Sequence, residues 1–270
     1  MSTTPLTLFA ALALTSLAGA QERTASTAPE HAQPVHNLDA RAERALAAEL
    51  QEFDGDSIRW RANSHLLGGS PISIGSRYKA TYSRAGVRFT PALGKHAPET
   101  RNLQFRFEGV RVGPQAVEGL DLDAKPQLVG DSVHFDRGGV LETYHATEAG
   151  LKQSFVFDSL PSRAGDLVVH GRLSVEMQRV LEEASSNSLV FREAGHGDVR
   201  LDTVVGIDGQ GREAMGSLSL DGDRLELVLP ADFIASAELP LVLDPLFGVE
   251  LQGSQPAFDS NQCDVAAGEN

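Results

Sequence analysis

The sequence predicts an all-β protein, an antiparallel β-sandwich-like domain preceded by one short amphipathic helix. From Ser57 onward apolar residues recur with a period of two, as in Tyr78-Lys-Ala-Thr-Tyr82, Leu103-Gln-Phe105-Arg-Phe107, Ser154-Phe155-Val-Phe157 and Leu225-Glu-Leu227-Val-Leu229. The runs are short, and turn-forming clusters separate them: Arg84-Ala-Gly86, Asp136-Arg-Gly-Gly139, Asp208-Gly-Gln-Gly211 and Asp221-Gly-Asp223. Many short alternating runs divided by such clusters belong to an antiparallel architecture in which hairpins connect the strands. One stretch stands apart. Glu176 to Ser186 (EMQRVLEEASS) fits a short helix or a long strand with a loop, and the pattern leaves both open.

The elements before the sheet have other characters. Leu6 to Leu17 is an apolar run, too short for the roughly 20 residues of a membrane span and within the range of a signal-peptide core. Ala18 and Ala20 supply the small residues a signal peptidase reads, which places cleavage after Ala20 and predicts export to the extracellular space or cell surface. Residues 21–36 lack periodicity and read as a flexible leader. In Asn37 to Phe53 the residues Leu38, Ala42, Ala45, Leu46, Leu50 and Phe53 fall near 3.6-residue spacing, with Asn37 placed to cap an amphipathic helix. Its apolar stripe is expected to pack on the domain behind it. The all-β domain then occupies residues 57–247. Pro240 and Pro245 bracket a short apolar strand, and since proline donates no ladder hydrogen bond, pairing is expected to end at Asp244-Pro245. Residues 248–270 read as the start of a further element, cut short.

Composition excludes several classes. The chain has 270 residues, 41% of them hydrophobic, which is enough to build a core. Its formal net charge of −14 argues against a nucleic acid partner, because phosphate neutralisation needs clustered Lys and Arg. A single cysteine, Cys263, rules out a disulfide scaffold or a Cys-rich zinc module, and leaves a free thiol or a pairing between chains or with a later residue. No further apolar stretch is long enough to cross a bilayer, so the mature chain is expected to have no membrane span.

The candidates for chemistry are few. His134 and Asp136 share one face of a strand at i,i+2 and are the nearest thing to a metal pair; two ligands without a second pair are otherwise a surface His–Asp neighbour. Glu142, His145 and Glu148 would gather on a helix, but in an extended segment they splay over both faces. Acidic turns such as Asp121-Leu-Asp123, Asp208-Gly and Asp221-Gly-Asp223 set a loosely bound calcium ion against ordinary turn chemistry, and none fits the calcium-loop pattern; no cofactor is expected. Trp60, Tyr78, Tyr82 and Tyr144 could assemble an aromatic sugar platform, or serve as core and half-buried sheet residues. No Gly-x-Ser-x-Gly elbow and no phosphate-cradling loop occurs, and Gly68-Gly-Ser70-Pro71 lacks the strand-turn-helix context of a nucleophile.

Two sets of residues carry a family resemblance. Gly150-Leu-Lys-Gln-Ser-Phe-Val-Phe157, with Leu160-Pro and Gly165-Asp-Leu-Val-Val169, is similar to a "Gly-Leu-Glu-Gln-x-Phe … Pro … Gly-x-Leu-x-Leu" segment. Leu189-Val-Phe191, Ile207-Asp-Gly-Gln-Gly-Arg212 and Ala237-Glu-Leu-Pro-Leu-Val-Leu-Asp-Pro245 are similar to "Leu-x-Phe … Asp-x-x-Gly-Arg … Ala-x-Tyr-Pro-Leu-x-Ile-Asp-Pro". Together, over about Arg77 to Phe247, they resemble the N-terminal all-β domain at the head of large secreted bacterial proteins that continue into FG-GAP or SBBP β-propeller-like repeats. Lys152 and Leu239 depart from the pattern, where the family prefers Glu and Tyr. The resemblance implies an accessory module with no catalytic or binding residues to carry over.

The expectation is therefore a non-enzymatic, exported structural or interaction module with an extracellular protein or glycan as partner. The rival is a carbohydrate-binding sandwich or a glycan hydrolase. An exposed coplanar aromatic pair would favour sugar binding, and two carboxylates about 5–9 Å apart in a cleft would favour hydrolysis. Aromatics buried in a smooth sandwich would favour the module.

Overall fold

A computed structural model describes residues 59–62, 70–75, 77–93, 97, 99–181 and 187–251. The signal run with Ala18 and Ala20, the leader, the helix expected at 37–53 and the tail with Cys263 all lie outside these residues.

The chain folds as two antiparallel sheets packed face to face. The first receives β1 (Arg59–Ala62), β2 (Pro71–Ile74), β3 (Tyr78–Ser83), β4 (Gly86–Pro91), β5 (Leu103–Val112) and β6 (Gln115–Ala116). The second opens with β7 (Gln127–Val129), β8 (Ser132–Asp136), β9 (Leu141–Ala146) and β10 (Gly150–Phe157). The chain returns to the first sheet for β11 (Leu167–Val175), then supplies β12 (Gln178–Val180), β13 (Leu189–Glu193), β14 (Gly197–Leu201), β15 (Val205–Ile207) and β16 (Glu213–Met215) to the second. After β17 (Ser217–Asp221) and β18 (Arg224–Leu229) in the first, one helical turn and a half, α1 (Ala231–Ser236), leads back to β19 (Leu241–Asp244) and β20 (Leu246–Leu251) in the second. The first sheet runs β1-β2-β3-β4-β5-β11-β18-β17.

Hairpins join neighbours wherever the sequence shows a turn cluster. Gly86 illustrates why one of them needs glycine: its φ is +107°, and a Cβ there would lie 2.0 Å from the Phe105 carbonyl oxygen. In the stretch left open by the pattern, β11 ends at Val175 and Gln178–Val180 pairs with β13, so its described part is extended.

The second sheet is organised around the end of the chain. Strand β10 pairs on one side with β9 and on the other with β19 and β20 in succession. Pro245 therefore interrupts the ladder without ending it. Its carbonyl accepts a hydrogen bond from the Gln153 N–H at 3.1 Å, and pairing resumes from Leu246 to Leu251. On the far edge β15 lies beside β19 and β14 beside β20, and the gap between β14 and β15 (residues 202–204) falls opposite the proline. The missing donor thus meets a place where the neighbouring strand is itself broken, so the expected exit at Asp244-Pro245 is passed through.

The core lies between the sheets. Phe105 and Phe107 of β5 meet Phe155 of β10, Phe89 of β4 meets Phe247 of β20, and Tyr82 of β3 meets Tyr144 of β9 edge-on. A hollow within it, lined by Val87, Phe89, Leu103 and Tyr144 among others, holds about 10 Å³, far below the ~300 Å³ of a small-molecule pocket.

Candidate functional site

The residues singled out for chemistry fall on three surfaces: the inward faces and the two outward faces. Tyr78, Tyr82 and Tyr144 all point inward and are sealed, at 0%, 0% and 1% exposure. The Tyr78 hydroxyl reaches the carbonyls of Thr147 at 2.8 Å and Gly150 at 2.7 Å, and lies 3.0 Å from the Thr147 N–H. Tyr82 meets Ser73 Oγ at 3.1 Å. Burial raises the pKa of all three phenols above the ordinary value. They are core residues whose hydroxyls satisfy buried polar groups, and no ring face is open to a ligand. Trp60 lies in β1, with its side chain outside the described set.

Beside Tyr144 the core holds an ion pair that the sequence pattern did not announce. Arg137, from the β8–β9 turn, donates through Nε and Nη2 to Glu142 Oε2 at 2.8 and 2.6 Å, and both residues are 1% exposed. Its guanidinium lies between the rings of Phe107 and Phe135, 4.7 and 5.0 Å from their centroids. Glu142 Oε1 accepts from the Tyr144 hydroxyl and from Gln153 Nε2. In this network Gln153 Oε1 is buried without a donor. Removing either member of such a pair strands the other charge in the core. The arrangement fixes the β8–β9 turn against β5, with both side chains sealed from solvent. Glu142 points inward and His145 outward, as extended geometry requires of residues three apart.

On the outward face of the second sheet, register places Ser132, His145 and Lys152 in one row and His134, Thr143, Ser154 in the next. Asp136, Leu141, Val156, Val242 and Ile207 form a third row. His134 and Asp136 are half-buried, and the Asp136 carboxylate accepts the Gly138 N–H at 2.9 Å, a turn contact. Ser132 Oγ lies 3.2 Å from His145 Nδ1, and Asp131 approaches that same nitrogen at 3.8 Å. A nucleophilic triad needs serine and carboxylate on opposite ring nitrogens. With both on Nδ1 the three groups do not form that relay. Burial lowers the His145 pKa, Asp131 opposes it and Lys152 adds to it. Lys152 Nζ meets Asp244 Oδ2 at 3.1 Å, and Ser154 donates to Asp244 Oδ1.

The outward face of the first sheet is open around Arg88, Arg106, Arg172 and Ser174, while Ile72, Thr90 and Val168 on the same face are buried. Thr81, Arg88, Gln104 and Ser174 form one row across β3, β4, β5 and β11. A groove of about 230 Å³ runs past Ser70, Ser83, Arg88 and Gln104. Further along, Arg172 bridges Glu108 and Asp223, each at 2.8 Å.

The acidic turns resolve into hydrogen-bonding devices. Burial alone would push the Asp208 pKa up, but the N–H groups of Arg212, Glu238 and Gln210 and the Arg212 side chain hold it below the ordinary value. Those donors occupy the lone pairs a calcium ion would need. Asp121 accepts the Asp123 N–H in a local turn, and Asp223 pairs with Arg172. Sequence reasoning missed the Arg137–Glu142 pair, because Asp-Arg-Gly-Gly read as a plain hairpin turn.

Fold and surfaces together define an antiparallel β-sandwich whose sealed polar groups are structural and whose open face is polar. Among the described residues no helix is long and apolar enough to cross a membrane. No protein-family model matches the chain, and no curated protein matches it.

Proposed function

We propose that the chain is a non-enzymatic, exported structural or interaction module heading a longer, repeat-containing extracellular or cell-surface protein. The observation that carries this is where the chemistry-bearing side chains are spent. The tyrosines and the Arg137–Glu142 pair lie in the core, and the Ser132–His145–Asp131 cluster lacks the geometry of a nucleophilic triad. Three of the stretches that carry the resemblance also support it, since they build neighbouring strands of the second sheet, β10, β19 and β15 with its turn, while Gly165–Val169 enters β11 of the first sheet and Leu189–Phe191 lies in β13. Their residues have structural work there. Gly150 lets the β20 backbone approach, a Cβ at that position lying 2.0 Å from the Phe247 carbonyl oxygen, and Gln153 joins the core network. The test is the mass and cell fraction of the protein recovered from producing cells. A species far larger than 28.8 kDa, outside the membrane and lacking residues 1–20, is the expected result. A mature species of this length alone would sink the head-domain reading.

A second reading, carbohydrate binding, rests on the groove beside Arg88, whose hydroxyl, amide and guanidinium groups suit a polar saccharide without ring stacking. Screening the protein and an Arg88→Ala variant against glycans tests it. Binding lost in the variant would favour this reading, and no binding by either would remove it.

A further inference from the structure

The groove on the first sheet has a charge opposite to that of the chain. Ser70, Thr81, Ser83, Gly86, Arg88 and Gln104 line it, and none of its lining residues carries a carboxylate, although the sequence has 37 acidic against 23 basic residues. Arg88 is exposed and has no hydrogen bond or ion pair to any described residue. The outward arginines of the neighbouring strands are engaged: Arg106 with Asp123, Arg111 with the Gly113 carbonyl, Arg172 with Glu108 and Asp223, Arg224 with Glu226. A guanidinium set in a polar groove without a counter-ion is open to an external anion, and its planar fork matches a carboxylate at two points. A second cation stands close by. A Cβ on Gly86 would lie 3.1 Å from Arg106 Cα, so the rim of the groove abuts the strand that bears Arg106. Arg106 meets Asp123 at 3.5 Å with the two side chains 51% and 71% exposed, and Arg84 holds the carbonyl of the same residue.

Resting on the carbohydrate-binding reading, we propose that this groove takes an acidic saccharide, a uronate whose carboxylate is clasped by Arg88. Hydroxyl and amide groups that both donate and accept surround that cation, as sugar hydroxyls require. Arg88 is paired in register with Thr81 on one side and Gln104 on the other, and Gln104 with Ser174. That row spans about 14 Å across four strands at roughly 4.8 Å spacing, enough to seat a short oligosaccharide. The groove itself, at about 230 Å³, is smaller than the ~300 Å³ of a small-molecule pocket, which suits one ring held at Arg88 with its neighbours along the row. An acidic peptide is matched less well. Strand β4 lies between β3 and β5, so no edge there offers a peptide backbone its hydrogen bonds. A nucleic acid needs many phosphate contacts and is repelled by the formal charge of −14. A short uronate brings few charges, and at physiological salt a screening length of about 8 Å leaves the arginines at the groove to decide.

The experiment titrates the full chain calorimetrically with hexamers of galacturonate and of mannuronate, and with their methyl esters, which keep the hydroxyls and lose the charge. At least one acid hexamer is expected to bind, its ester about tenfold or more weaker, with the affinity for the acid falling as salt rises. Arg88→Met should bring the acid down to the level of the ester, and Arg88→Lys should fall between, because an ammonium meets a carboxylate at one point. Should the Arg88→Met variant fail to fold, Gln104→Glu carries the same test, since it gives Arg88 an internal carboxylate across the ladder and should also abolish the preference for the acid. Arg172→Met, beyond the groove, should leave binding unchanged; a loss there equal to that of Arg88→Met would overturn the placement of the site. Acid and ester bound alike, with both lost in Arg88→Met, would overturn the acidic ligand and leave the carbohydrate reading standing. Binding of neither overturns both. Hexaglutamate bound as tightly as the acid hexamers would overturn the saccharide class.

Discussion

The two outward faces of the sandwich arise from the same alternating pattern and have opposite surroundings. On the first sheet Arg88, Arg106, Arg172 and Ser174 stand in solvent, and the ion pairs there join exposed groups. On the second, Thr143, Lys152, Ser154 and Val156 are sealed. The contrast shows what period two does and does not encode. Alternation separates an inner from an outer face, but an outer Thr or Lys is equally compatible with water and with a covering layer. What distinguishes the faces is the third row of the second sheet, where Leu141, Val156 and Val242 come together only after strands distant in sequence have paired.

The largest expected effect sets one acid against another. Val156→Asp places a carboxylate in a sealed row and is expected to cost about 4 kcal/mol, whereas Ser174→Asp on the open face should stay within about 0.5 kcal/mol. Urea unfolding of both variants checks this, and similar losses would erase the distinction between the faces. Next come the ion pairs. Lys152→Met removes the cation facing Asp244 where both side chains are largely buried, 6% and 11% exposed, and should cost about 3 kcal/mol. Arg172→Met breaks contacts to Glu108 and Asp223 in water and should leave the urea midpoint where it was. A clear loss in the Arg172 variant would mean that the open face is also sealed in the folded protein.

Much of the fold was legible because it depends on local chemistry. The alternation at Tyr78–Tyr82 and Leu103–Phe107 marks β3 and β5, and Arg84-Ala-Gly86 marks the turn at which only glycine fits against Phe105. The exit at Pro245 was misjudged because a proline tells which donor is lost and not whether a neighbour needs it; here the partner strand is broken opposite it. The candidate site was less legible for the same reason. His134 and Asp136 were correctly placed on one face, but whether that face is wet depends on long-range packing. Glu142 and His145 were read as lying on opposite faces, but the partner of Glu142 was hidden, because Arg137 reaches it only through the fold of the β8–β9 turn.

The smallest effect concerns protons. Burial lowers the pKa of His145 on the sealed face and of His170 on the open one, so for both the folded protein binds fewer protons than the unfolded chain just below the ordinary histidine value of about 6.5. Above that value both states are neutral and nothing is lost. As pH falls through it the unfolded chain takes up protons first, and stability declines until the folded-state values are reached. Asp208, whose pKa is lowered, loses its contribution only in the carboxylate range near and below pH 4, which leaves the interval from 6.5 to 5 to the histidines. The urea midpoint should therefore fall between pH 7.5 and pH 5, and His145→Gln should shrink that fall more than His170→Gln, because His145 is 9% exposed and His170 half-buried. If the two substitutions shrink it equally, a charge is no less welcome under the sealed face than on the open one, and the difference between the faces is one of packing rather than of hydration.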